Sequence, residues 1–164
     1  MMIKKYTIIL IVTSFLGGCT ESTPVSGDLP RDVAIVGIQV DKSRLGVVNI
    51  NEAFTLPVKI ENRGVGHIPA LGLVQDDSKR VFITYHWLRE NGEHVVWDGI
   101  RTKLNRDIAS KDSIMGADLS VDLTVHAPSE PGKYVLVIDL VQEGVQWFAG
   151  NGSETPKIEF NVIE

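Results

Sequence analysis

Trp87, Trp97, Trp147 and Phe148 are the side chains of this chain best suited to holding a ligand. A flat aromatic face stacks on the C–H surface of a sugar ring, and the same faces fill the core of a β-sandwich. Trp97 is followed by Asp98 and then Arg101, which puts a planar ring, a carboxylate and a guanidinium close together. Trp97, Asp98 and Arg101 are therefore the expected ligand surface. Trp147 is expected in the core, because folding back across Glu143-Gly144 sets it beside Leu140. The four histidines, His67, His86, His94 and His126, lack metal-ligand spacing. Asp76 and Asp77 lie together in VQDDSK, but calcium needs carbonyls and further acids around such a pair. A solvated turn is expected there, and no metal site. Asp139, among Val135, Val137 and Val141, is expected to face outward or to bond Arg101 or another base, because a buried unpaired carboxylate is costly. The chain has no glycine-rich phosphate loop, no nucleophile elbow and no convergent acid and base. Neither enzyme activity nor a cofactor is expected.

The single cysteine, Cys19, has a different chemistry. Lys4 and Lys5 form a basic start, Tyr6 to Phe15 is an almost purely apolar run, and Gly17 and Gly18 are small residues ahead of the cysteine. This is the layout of a secretory signal. The apolar run is short of the roughly 20 residues that span a bilayer. Leu16-Gly17-Gly18-Cys19 resembles the bacterial lipobox, an aliphatic residue and two small ones before cysteine. The resemblance implies that residues 1–18 are removed and that Cys19 receives a lipid. Thr20 after the cysteine implies the outer membrane in a cell with two membranes, and otherwise the outer face of the cytoplasmic membrane. With no cysteine beyond the anchor, the exported part has no disulfide framework.

Residues 1–18 carry two lysines and no acid, so the remainder has 14 Lys+Arg against 21 Asp+Glu, a formal charge of −7. That balance speaks against nucleic acid as a partner and against electrostatic docking on anionic lipid. The membrane is to be reached through the lipid. Residues 19–31, with TESTPVSGDLPR after the cysteine, have little to bury and are expected to form a tether. Fully stretched, a dozen residues reach roughly 40 Å. Residues 32–164 suffice for one domain with its own core.

The elements that must position the aromatic residues are strands. Leu56, Val58 and Ile60 alternate with polar neighbours, as do Leu119, Val121, Leu123 and Val125, and Ile158, Phe160 and Val162. A period of two buries one face and wets the other. The expected strands are 33–40, 45–50, 54–61, 80–89, 94–98, 113–126, 134–142, 145–149 and 157–163. Turn signals recur at Asn91-Gly92, Pro131-Gly132, Glu143-Gly144 and Asn151-Gly152. Pro57 cannot donate to a ladder, so its nitrogen is expected to face away from a partner strand. The long segment 63–79, with Ile68, Leu71, Leu73 and Val74, is expected to pack down in part.

The hairpin VFITYHWLRENGEHVVWDG is the best defined. With Asn91-Gly92 as a two-residue turn, Arg89 pairs with His94, Trp87 faces Val96 and His86 faces Trp97. Ile83, Tyr85, Trp87 and Val96 then share the face expected in the core. Phe82, His86, Leu88, Val95 and Trp97 share the other. His86 and His94 fall on opposite faces and are not expected to meet.

Glu130-Pro131-Gly132-Lys133-Tyr134 resembles the tyrosine corner of immunoglobulin-like sandwiches, with Glu130 in place of the usual aspartate. The resemblance implies that Tyr134, Leu136, Ile138 and Leu140 face inward and that Trp87 is the buried tryptophan of a middle strand. More widely, 85–152 is similar to a bacterial immunoglobulin-like module found with proteins of cell-surface polysaccharide metabolism, often attached to glycosyltransferases or methyltransferases. The pieces that carry this are Tyr85-His86-Trp87, 97–102, Ala127-Pro128, Pro131-Gly132-Lys133-Tyr134 and 139–148. The expected fold is therefore all-β, an immunoglobulin-like antiparallel sandwich of about 7–9 strands. The expected role is a lipid-anchored, non-catalytic envelope module that contacts polysaccharide through Trp97. The alternative is an assembly module that docks an envelope protein through a strand edge.

Overall fold

A computed structural model describes residues 35–41, 46–70, 79–114 and 116–164. Cys19 and the lipobox, the tether to residue 31, and Asp76 and Asp77 lie outside the described residues, as do Leu71, Leu73 and Val74. Ten strands are described: β1 (Val36–Val40), β2 (Val47–Asn49), β3 (Ala53–Asn62), β4 (Val81–Arg89), β5 (His94–Val96), β6 (Thr102–Lys103), β7 (Asp118–His126), β8 (Gly132–Gln142), β9 (Gln146–Trp147) and β10 (Lys157–Ile163). One sheet has the order β1-β3-β7. The other has the order β2-β10-β8-β4-β5, with β6 added on β4 and β9 on β8. The described chain is an all-β sandwich of two sheets.

Alternation in the sequence becomes the core between the sheets. Leu56, Val58 and Ile60 of β3, Leu119, Leu123 and Val125 of β7, Leu136, Ile138 and Leu140 of β8, and Ile158, Phe160 and Val162 of β10 are all buried. At its centre Trp87 is fully buried, edge-on to Tyr134 and Phe160 at 6.1 and 5.4 Å. Its Nε1–H donates to the His126 carbonyl at 2.8 Å, and the His126 N–H donates to the Tyr85 hydroxyl at 3.0 Å. These two bonds tie β4 to the end of β7 in the opposite sheet. Leu136 lies directly opposite Trp87 in the β4–β8 ladder.

Several local expectations are corrected. There are ten strands, because β6 pairs with β4 through only Thr102 and Lys103, too short a run to show alternation. β2 runs parallel to β10, so the larger sheet is not wholly antiparallel. β7 starts at Asp118, after Gly116 in a left-handed conformation (φ 85°) that interrupts extended chain. The expected strand 145–149 is a two-residue β9 followed by a 3-10 turn, Phe148–Asn151.

Pro57 shows how a central strand tolerates proline. The Asn62 N–H reaches Ala117 beside β7, and the Arg63 N–H reaches Ile35 beside β1. Amides alternate sides along a strand, so the Pro57 nitrogen points toward β1. The last β1 pair is Val40–Val58, one residue short of it. Farther along, Ile68 pairs with Ile108 and both are buried. The buried Asn62 holds that loop by donating to Gly66 and Ala109 carbonyls and accepting from the Gly64 N–H.

Candidate functional site

The site lies on the outer face of the larger sheet, behind the core tryptophan, and a bulge builds it. The turn expected at Asn91-Gly92 is a three-residue loop: Arg89 N–H donates to the Glu93 carbonyl, and Gly92 takes the left-handed conformation (φ 85°). A two-residue type I′ turn would need positive φ at Asn91 as well, and Asn91 does not have it. Leu88 therefore pairs with His94 while Trp87 still pairs with Val96, which leaves Val95 as an extra residue. One inserted residue reverses the facing of His94. His86 and His94 consequently meet, with ring centroids 6.3 Å apart, against the expectation of opposite faces.

Both rings surround Trp97. His86 stacks on it at 4.8 Å with planes 25° apart, and His94 meets it edge-on at 4.5 Å. His86 Nδ1 bonds the Trp97 carbonyl, which can only accept, so Nδ1 carries the proton. Burial pushes the His86 pKa down, outweighing the raising effect of that bond. Trp97 itself is 54% exposed.

Past Trp97 the chain presses onto β4 at Gly99, whose N–H donates to the Tyr85 carbonyl at 3.0 Å. A Cβ on Gly99 would stand 2.5 Å from that carbonyl oxygen, so the approach requires glycine. The buried Thr84 hydroxyl donates to the Gly99 carbonyl at 3.0 Å. Arg101 is thereby aimed back across the sheet. Its Nε donates to Glu143 and its Nη1 to Asp98, to the Gly99 carbonyl at 3.0 Å and to Thr84 Oγ1 at 3.4 Å. Partial burial works against its charge, but the bonds to Glu143 and Asp98 outweigh this and raise its pKa. Its guanidinium also lies 5.3 Å from the centre of the Trp147 ring.

Trp147 is the main correction. It pairs with Val141, not Leu140, and this single-residue offset turns it from the core to the outer face. There it packs 4.7 Å from His86 and 5.8 Å from Trp97. Phe148, next in the chain, is fully buried in the core instead. The 3-10 turn that separates these fates is anchored by Asp139, which is 1% exposed. Asp139 Oδ1 accepts from the Leu140 N–H at 2.7 Å and the Ala149 N–H at 3.1 Å. Against expectation, its carboxylate is turned away from solvent and is met by backbone amides in place of Arg101 or another base. Burial pushes its pKa up to about 6, against the lowering effect of those two amides.

Trp97, Asp98 and Arg101 thus stand together, and with Glu143, Gln146 and Trp147 they line a groove of 330 Å³. His94, Trp147 and Glu143 are the members that sequence reasoning missed, whereas His86 stands against Trp97 as the hairpin register predicts. The strand period assigns His94 and Trp147 to the wrong face, and only the bulge and the β8–β9 register correct it. Glu130 and Tyr134 lie elsewhere: the Tyr134 hydroxyl donates to the Glu130 carbonyl at 3.0 Å, while the Glu130 carboxylate accepts from Arg89. A larger groove of 580 Å³ on the three-stranded sheet, beside Pro57, Lys59 and Asp122, has no aromatic ring in its lining. Among the described residues no three His, Cys, Asp or Glu side chains converge at metal-binding distance.

No family model matches this chain, and neither does any curated protein. Solved structures that match this chain include a CARDB domain from Pyrococcus furiosus, 13% identical, with 79% of this chain and 94% of that one covered and a TM-score of 0.41. The alkylpurine DNA glycosylase AlkC of Pseudomonas fluorescens, bound to DNA containing an abasic site analog, is 16% identical, with 80% of this chain covered and a TM-score of 0.43. The match takes in only 31% of the glycosylase chain. The PKD domain of an M14-like peptidase from a Thermoplasmatales archaeon is 12% identical, with 79% and 94% of the two chains covered and a TM-score of 0.32.

Proposed function

We propose that this chain is a lipid-anchored, non-catalytic module of a bacterial cell envelope that holds polysaccharide on the Trp97 face. The observation that carries the reading is the exposed Trp97 ring, backed by His86 and flanked by Trp147, with Asp98 and Arg101 at its rim. A rigid aromatic platform with polar groups beside it suits the apolar faces and hydroxyl edges of sugars. The anchor rests on Leu16-Gly17-Gly18-Cys19 and the apolar run before it. It suits a module that stands on a tether and reaches into a glycan layer.

Two measurements test this. Mass spectrometry of the intact product made in a bacterium is expected to find the chain starting at a diacylglycerol-bearing Cys19, and Cys19→Ser to remain unlipidated. An unmodified Cys19 would sink the anchor. A glycan array probed with the detergent-solubilised chain is expected to show saturable binding that Trp97→Ala abolishes. A folded chain that binds no glycan would return the assignment to an envelope protein partner, with crosslinking in intact cells as the next step.

A further inference from the structure

Resting on that reading, we infer that the groove lined by Trp97 and Trp147 takes a neutral sugar ring bearing vicinal hydroxyls, and not an acidic sugar. The charged lining consists of Arg101, Asp98 and Glu143, one cation against two carboxylates. The cation is already committed to both. A carboxylate or phosphate on the ligand would have to displace one of them and would meet the other. Bidentate capture of an anion, the usual strength of arginine, is thus closed off.

What remains suits hydroxyls. The Asp98 side chain is 57% exposed beside the Arg101 guanidinium. A carboxylate that accepts and a guanidinium that donates, side by side, match two neighbouring hydroxyls, each of which can donate and accept. The Trp97 ring, stiffened by His86 behind it and His94 at its edge, supplies the stacking surface. The volume of 330 Å³ is at the small end of the roughly 300–1,000 Å³ of ligand sites, as suits a sugar ring. An ammonium ligand would have to compete with Arg101, which already lies against the Trp147 ring.

The test uses the intact chain in detergent micelles against immobilised mannan, dextran, galactan, xylan and polygalacturonate, with tetramethylammonium as competitor. The expected result is saturable binding to at least one neutral polymer, changed by less than about twofold between low and high salt because no net ion pair is screened. Asp98→Asn is expected to weaken it about tenfold or more, and so is Arg101→Lys, which keeps the charge and loses the planar fork. Tighter binding of polygalacturonate, weakened by salt, would overturn the neutral-sugar assignment while leaving the glycan reading intact. Competition by tetramethylammonium would overturn it in favour of a cation cage. Binding to a neutral polymer that both variants leave unchanged would overturn it too. No binding to any polymer, with the chain folded by circular dichroism, would remove this inference and the glycan reading together.

Discussion

On the inner face of β4, Trp87 meets Tyr134 and Phe160 edge-on and is wholly removed from water; on the outer face, His86 stacks on a Trp97 ring that is more than half exposed. Both clusters are aromatic, and they are joined by adjacent residues of one strand. The inner one is held by shape and by bonds to the backbone of the opposite sheet. The outer one is held by a bulge, a close glycine and a guanidinium shared between carboxylates. Burial of apolar surface contributes to stability in proportion to area, so the inner cluster carries the fold. The outer one keeps part of its surface open and is available for recognition.

Replacing Trp87 by alanine gives the largest effect expected, a loss of about 3–5 kcal/mol on urea unfolding, from the cavity and the bond to His126 together. A loss near that of a surface residue would break the distinction between the two faces. Asp139 tests how dry the outer face is beneath its turn. Its folded pKa of about 6 exceeds the unfolded value of about 3.9, so the native state holds the proton more tightly and stability falls as pH rises from about 4 to about 6. Asp139→Asn keeps an acceptor for the Leu140 and Ala149 amides without the charge. Its advantage over the native chain should grow from near zero at pH 4 to on the order of 2–3 kcal/mol at pH 7. A pH-independent difference would mean that the carboxylate is well solvated.

Gly99→Ala is expected to cost about 1–3 kcal/mol through the clash with the Tyr85 carbonyl, and to shift tryptophan emission as Trp97 is displaced. Tyr134→Phe should cost about 1 kcal/mol, the worth of its bond to Glu130. Trp97→Ala is expected to change stability least, by less than about 1 kcal/mol, while removing a large part of the exposed fluorescence. If it unfolded the domain as Trp87→Ala does, Trp97 would be part of the scaffold and the contrast would fail.

The inner face was legible in the sequence. Alternation picks out Leu56, Val58 and Ile60, the Tyr85/Trp87 side of β4, and the run from Tyr134 to Leu140, because a buried sheet face repeats every second residue. The outer site was legible in its local triplet, Trp97, Asp98 and Arg101, and in the hairpin register that sets His86 against Trp97. His94 and Trp147 join it because one hairpin carries an extra residue and the other is offset by one.

By itself the sequence determined the strand-rich class, most strand positions, which residues fill the space between the sheets, and the lone cysteine behind its apolar run. These follow from periodicity and composition, which are properties of neighbours along the chain. Only the tertiary structure decided that His94 and Trp147 join His86 and Trp97 on one surface, that Arg101 spans Asp98 and Glu143, and that Asp139 is buried under a turn. The reason is geometric. In a sheet a shift of one residue moves a side chain to the opposite face, and bulges and register are set by pairing between segments distant in sequence.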